Sequence, residues 1–341
     1  MTFFNSFLNK STKITCALVA LLCLSAAARA QDQDEDVVPI NSNLVILNVG
    51  VADQKGRAIT NLSQSDFNVY EDGVKQSVVS FEPSTAPFSL VLLLDMSGST
   101  INFRPTLKQS ALRFIDALGP EDRVEVIAFN DKVQTLQHFT GDRQKIGFAI
   151  DEAKGRGSTS LYKALRHSLA ELSKEGKRRK AIVVLTDGLD TDERKLDGEA
   201  TAEAKTGDEA VATVKPDQSA ALRSVLDLAD RLGVTVYPLA LPSADPTKML
   251  PFTPQQAAIY SAARTRMQTL ADRTGGRLHE IRRLEDMGRL YAEVAAEMRT
   301  LYSLAYQSSN ARPRDGKWRA ITVEVTRADA IARSRPGYFA R

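Results

Sequence analysis

Two uninterrupted aliphatic runs, Leu90 to Leu94 and Ala181 to Leu185, constrain the fold of this 341-residue chain more than any other feature of it. A strand with one face in water alternates apolar and polar residues, so a run with no polar member must be covered on both faces, as in a parallel sheet between helices. The intervening segments fit that arrangement. Leu107, Ala111, Phe114, Ile115 and Leu118 follow the first run at helical spacing and lead to a strand from Val124 to Phe129. Leu161, Leu165, Leu169 and Leu172 form the stripe of a helix that begins near Thr159 and ends near Gly176, ahead of the second run. Later come a helix Ala220 to Leu232, a strand Val234 to Leu241 and a helix through Met267 and Leu270 closed by Gly275-Gly276. A last helix carries Leu284, Met287, Tyr291, Val294 and Met298, a stripe read as core. The alternation predicts a doubly wound α/β domain over residues 86–300, with a mostly parallel sheet and helices on both faces.

Outside that domain the pattern is β-like. Leu44, Ile46, Val49 and Val51 lead to a Lys55-Gly56 turn, and Phe67 and Val69 lead to Asp72-Gly73, a hairpin signal. After Asp315-Gly316, Ile321, Val323 and Val325 alternate with Thr322, Glu324 and Thr326. Residues 43–85 and 301–341 are therefore expected to form a small β region, the two segments packing together. Thr191 to Ser219 is rich in Asp, Glu, Lys, Thr and Ala and reads as a mobile polar insertion with no face to bury. Ser243 to Thr253, with Pro246 and Pro251, reads as a loop.

The N-terminus carries Lys10 and Lys13, an apolar core from Ile14 to Leu24, and the small-residue ending Ala28-Arg29-Ala30. This is the layout of a secretory signal over residues 1–30, cut after Ala30, its core too short for a membrane span. Residues 31–42 follow as an acidic tether, and the product is expected in the periplasm or medium, with no stable membrane insertion. Of the 45 basic residues Lys10, Lys13 and Arg29 leave with the signal, so 42 remain against 42 acidic residues. A neutral exported chain does not fit nucleic-acid binding. Cys16 and Cys23, the two cysteines, also leave with it, and Leu22 before Cys23 does not fit a lipidation site. Disulfides, thiolate metal sites and cysteine nucleophiles are thereby excluded from the mature protein.

Chemistry is expected at the strand ends. The first aliphatic run closes in Asp95-Met96-Ser97-Gly98-Ser99, the second in Thr186-Asp187-Gly188, and Gly155-Arg156-Gly157-Ser158-Thr159 enters a helix between them. In an open parallel sheet the carboxyl ends of the strands gather such loops into one crevice. Asp95, Ser97, Ser99, Thr159 and Asp187 offer oxygen alone, which suits a hard cation such as Mg²⁺, or Mn²⁺ or Ca²⁺, more than zinc or copper. Three of these donors are neutral hydroxyls, so the ion keeps charge for an acid supplied by a partner.

Asp95-x-Ser97-x-Ser99, Thr159 in its Gly-Ser-Thr-x-Leu-Tyr loop and Leu-Thr-Asp187-Gly resemble the von Willebrand factor type A domain and its metal-ion-dependent adhesion site. The resemblance implies that Ser97, Ser99 and Thr159 approach the metal directly, that Asp95 and Asp187 act largely through water, and that a ligand carboxylate binds the ion. Asp66 to Gly73 with Gln76, and Arg335-Pro336-Gly337-Tyr338, further resemble exported bacterial proteins of the acidobacterial VWFA-related type. The expected function is a non-catalytic module that binds a carboxylate on a protein or surface polymer.

The alternative is a Mg²⁺-dependent hydrolase or phosphatase with Asp95 as nucleophile, weakened because Ser97 stands where such enzymes place a second acid. A serine acyltransferase reading of Ser160-Leu161-Tyr162-Lys163 with Lys205-Thr206-Gly207 fails on placement, since the triplet falls in the polar insertion. His138, His167 and His279 have no ligand spacing and are expected as surface or packing residues. The basic run Lys174 to Lys180 is expected as a solvated loop at a helix end.

Overall fold

In the computed structural model, which describes residues 44–241, 252–310 and 315–341, the two aliphatic runs are neighbouring strands at the middle of a six-stranded sheet. The expected signal, the tether and nearly all of the proline-containing loop lie outside the described residues. The chain begins β1 (Leu44–Asp53), β2 (Phe67–Glu71), β3 (Val74–Gln76), β4 (Val78–Glu82), β5 (Phe88–Asp95), α1 (Arg104–Ala117), β6 (Arg123–Phe129) and β7 (Val133–Thr140). It continues with α2 (Arg143–Glu152), α3 (Leu161–Ser173), β8 (Arg179–Thr186), α4 (Thr191–Thr201), α5 (Gly207–Thr213), α6 (Ala220–Leu232), β9 (Val234–Ala240) and α7 (Pro254–Thr274). It ends with β10 (His279–Glu280), α8 (Met287–Met298), β11 (Leu301–Gln307), β12 (Trp318–Val325), β13 (Ala330–Arg333) and β14 (Gly337–Phe339).

The central sheet has the order β10-β9-β8-β5-β6-β7, parallel except for the β6–β7 pair. Every residue of β5 is buried. Leu90, Leu92 and Leu94 pack with Leu107 and Phe114 of α1, Ile146 of α2 and Tyr291 of α8. Val91 and Leu93 point the other way, onto Leu161, Leu165 and Leu169 of α3, Val225 of α6 and Leu270 of α7. This two-sided burial is what an aliphatic run without polar members requires, and the fold is the doubly wound α/β arrangement.

The chain ends make two four-stranded sheets, β13-β1-β11-β4 and β14-β12-β2-β3. They share one apolar cluster that includes Leu47, Val49, Phe67, Val69, Tyr302, Leu304 and Tyr306. Asp72-Gly73 is the predicted tight turn between β2 and β3, both residues taking positive φ, 50° and 80°. Glu71, buried at the end of β2, accepts hydroxyl hydrogen bonds from Tyr306 (2.8 Å), Ser308 (2.6 Å) and Tyr338 (3.0 Å), tying β2 to β11 and β14. Arg335 reaches Asp230 of α6 at 2.7 Å. The terminal motif residues thus clasp the β region to itself and to the α/β domain. Glu71→Ala strands three donors and is expected to cost on the order of 3 kcal/mol. Thermal unfolding checks this, and a melting temperature equal to wild type would contradict the clasp.

Two sequence expectations need correction. The 191–219 segment is largely helical, as α4 and α5, and it does bury a face. Arg266 of α7 forms a bidentate pair with Asp197 of α4 (2.6 Å to each oxygen) and a further contact with Glu193 (3.2 Å), all three side chains buried. The buried face of α4 is Glu193, Asp197 and Thr201, polar and ionic, so composition hid it. Likewise the 174–180 run is not wholly solvated: Arg179, at the start of β8, is buried, donates to the carbonyls of Ser84, Ala86 and Leu301, and lies 3.9 Å over the Phe88 ring.

Candidate metal centre

From β5 the chain goes to β6 on one side, while β8 pairs with β5 on the other, so the loops leaving β5 and β8 diverge and open a crevice between them. Asp95 is the last residue of β5, and Asp187 follows Thr186, the last residue of β8. Their carboxylates sit close enough that the charge of Asp187 acts directly on Asp95.

The β5 loop is held by its own polar groups. Asp95 Oδ1 accepts the Ser97 N–H at 2.9 Å, and Oδ2 accepts the Thr186 hydroxyl at 2.7 Å. The Thr100 hydroxyl donates to the carbonyls of Asp95 and Ser97, and Arg104 Nη2 to those of Met96 and Ser97. These ties turn Ser97 and Ser99 to the same side, their hydroxyl oxygens 3.1 Å apart.

The loop before α3 is fastened onto it, since the Gly98 N–H donates to the Gly157 carbonyl at 3.0 Å. Glycine is required at 155, where a Cβ would lie 2.8 Å from the Met96 carbonyl oxygen and 2.7 Å from Asn130 Nδ2. Thr159 is buried, its N–H donating to Thr191 Oγ1 and its carbonyl accepting the Thr191 N–H, each at 2.9 Å. Thr159 therefore stands between the β5 loop and the start of α4, which Asp190 caps by accepting from Asp192 and Glu193.

The electrostatics favour a cation. Burial, then the charge of Asp187, pushes the Asp95 carboxyl up to about 7, against the pull of hydrogen bonds from Ser97 and Thr186. Asp187 is also raised by burial, opposed by the Leu189 N–H, Ser99 and Arg264. Its Oδ2 is buried without a hydrogen-bond partner. An orphaned carboxylate oxygen beside a second buried carboxylate is costly unless a positive charge joins it. The donor set is oxygen throughout, so the residues fit a hard divalent ion.

The structure thus brings Asp95, Ser97, Ser99 and Asp187 into contact range and fastens the Thr159 loop beside them. Thr186, Thr100, Arg104 and Thr191, which orient these residues, were not singled out by sequence. Thr186 adjoins Asp187 in Leu-Thr-Asp-Gly and carried a signal; the other three act through side-chain to backbone bonds that no spacing reveals. His138 is a surface residue, as expected, and its ring lies against Glu125.

A family model for the von Willebrand factor type A domain matches residues 90–189. An uncharacterized protein of Synechocystis sp. is 36% identical over 107 residues, which is 30% of this chain and 25% of that protein. The voltage-dependent calcium channel subunit alpha-2/delta-4 of Homo sapiens is 28% identical over 123 residues, 31% of this chain and 11% of that one. The chain therefore spans a quarter or less of these curated relatives. Among solved structures, a von Willebrand factor type A protein from Catenulispora acidiphila aligns with 88% of this chain and 74% of its own, at 12% identity and a TM-score of 0.45.

Proposed function

We propose that this chain, which carries a von Willebrand factor type A domain over residues 90–189, is an exported, non-catalytic binding module whose divalent cation recruits an acidic group from a partner. Domains of this family commonly serve adhesion or protein interaction, and the metal-ion-dependent adhesion site is where they bind a divalent metal. The supporting observation is the unpartnered, buried Asp187 Oδ2 facing a second buried carboxylate at the mouth of the β5–β8 crevice. Ser97, Ser99 and Thr159 would give the ion neutral oxygens, with Asp95 and Asp187 beside them. Mg²⁺ is the first choice, with ligand distances of about 2.0–2.1 Å; Mn²⁺ and Ca²⁺ share its preference for oxygen. Because the direct ligands would be neutral hydroxyls, with Asp95 and Asp187 acting largely through water, the ion keeps attraction for a protein or surface-polymer carboxylate.

Export rests on the layout of residues 1–30. Among the described residues no helix is long and apolar enough to cross a membrane. The hydrolase alternative is disfavoured because the Asp95 side chain is buried and Ser97 stands where such enzymes place a second acid. A nucleophile must be reachable by its substrate.

Retention on an immobilised polyglutamate surface tests the reading. Wild type should bind in millimolar Mg²⁺ and release on chelation. Thr159→Ala should weaken retention roughly tenfold or more while melting within about 2 °C of wild type. Retention indifferent to chelator and to Thr159→Ala would overturn the cation-bridged mode.

A further inference from the structure

We propose that Glu125, His138 and Glu171 form a second divalent-metal site, on the far edge of the sheet from β9, that takes a borderline transition ion such as Zn²⁺. Glu125 lies on β6, His138 on the antiparallel partner β7 and Glu171 in the last turns of α3, which packs over both strands. Each offers a ligand atom, and the three atoms lie within 4.8 Å of one another. His138 Nδ1 is 3.3 Å from Glu125 Oε1.

The second observation concerns Glu125. It interrupts an apolar strand, Val124-Glu125-Val126-Ile127, with a fully buried side chain, and neither carboxylate oxygen receives a well-formed hydrogen bond, His138 and Thr135 lying nearest to it. Buried polar atoms in folded proteins are nearly always paired. Glu125 lies beside the His138 imidazole and the Glu171 carboxylate. Burial, then the nearby Glu171 carboxylate, pushes Glu125 up, with His138 and the Thr135 hydroxyl pulling it back. A divalent ion would neutralise this pair of acids.

The donor set differs from that of the first centre. An imidazole nitrogen with two carboxylates suits Zn²⁺ more than Mg²⁺. The His138 side chain is 80% exposed, so the ion has a path in from solvent and a side on which water can complete its shell. His167, one turn before Glu171 on α3, is held at 3.1 Å by the Thr135 hydroxyl and borders the cluster. Lys174, whose ammonium sits 2.7 Å from Glu171 Oε1, is a competing cation that a bound metal must displace or share.

The test is a Zn²⁺ titration of the full chain against a chromophoric chelator, with excess Mg²⁺ present to occupy the first centre. Wild type should take up one equivalent of Zn²⁺. His138→Ala and Glu125→Gln should each weaken that uptake by roughly tenfold or more, whereas Asp187→Asn should leave it unchanged. His138 is solvent-facing, so its substitution does not threaten the fold. Absence of Zn²⁺ uptake by wild type, uptake unchanged by His138→Ala, or uptake lost in Asp187→Asn would each overturn the proposal, the last by moving Zn²⁺ to the first centre. The β5–β8 centre could fail its own tests without altering any of these outcomes.

Discussion

Arg266→Met should lower stability by about 3–5 kcal/mol, because it leaves Asp197 and Glu193 as buried carboxylates with their shared cation gone. The size of the loss comes from the survivors more than from the broken bonds: a paired buried charge is tolerated and an orphaned one is not. For a chain of this length that is a fall on the order of 10 °C in melting temperature. Adding Asp197→Leu should recover part of it, since the orphan is then removed. The effect should also reach the crevice. Arg266 holds α4 against α7, α4 begins at Thr191, and Thr191 exchanges two hydrogen bonds with Thr159. The variant should therefore bind Mg²⁺ more weakly, although Arg266 is none of the five proposed ligands. A melting temperature within about 2 °C of wild type would show that the ionic face of α4 does not anchor the segment.

Asp95→Asn should change stability in opposite directions with and without metal. The folded-state value of Asp95, about 7, lies above its ordinary 3.8. A carboxyl raised in this way contributes stability that is fully present below the unfolded value and is lost as pH rises through the folded one. Metal-free wild type should thus lose stability between about pH 4 and 7, by an amount on the order of 2–4 kcal/mol. Asparagine keeps the shape and can still accept the Ser97 N–H, but carries no charge to repel Asp187. At pH 8 without metal the variant should melt several degrees above wild type, and its pH profile should be flatter. With saturating Mg²⁺ the order should reverse, since wild type gains about 2.7 kcal/mol at a hundred times its dissociation constant and the variant gains little. In wild type the Mg²⁺ effect should be larger at pH 8 than at pH 5.5, where protons compete with the ion. Loss of stability on Asp95→Asn at pH 8 in chelator would contradict the repulsion between the two acids.

What could be read from sequence divides along a physical line. Leu90 to Leu94 and Ala181 to Leu185 announced a doubly covered sheet because an aliphatic run admits few environments, and Asp95 and Asp187 were legible because they end those runs. Asp72-Gly73 was legible because few dipeptides tolerate positive φ twice. Charged residues were misread in the 191–219 segment and the 174–180 run, where some of them pack in the interior. Asp197, Glu193 and Arg266 look like solvated surface in a linear chain, as does Arg179 within its basic run, since composition records a charge but not its partner. Glu71 with Tyr306 and Tyr338 depends on pairing across more than two hundred residues, which no local pattern encodes. Glu125 did leave a signal, one acid inside an apolar strand, but its meaning depends on His138 across a β6–β7 register that shifts twice.

Anomalous diffraction from crystals grown with Mn²⁺ in place of Mg²⁺ would locate the proposed cation itself. A peak is expected in the crevice within about 2.2 Å of the Ser97 and Ser99 hydroxyl oxygens, with Thr159 on its border and Asp95 and Asp187 alongside. Manganese found solely at other positions, with that crevice empty at millimolar Mn²⁺, would contradict a cation held by these five residues.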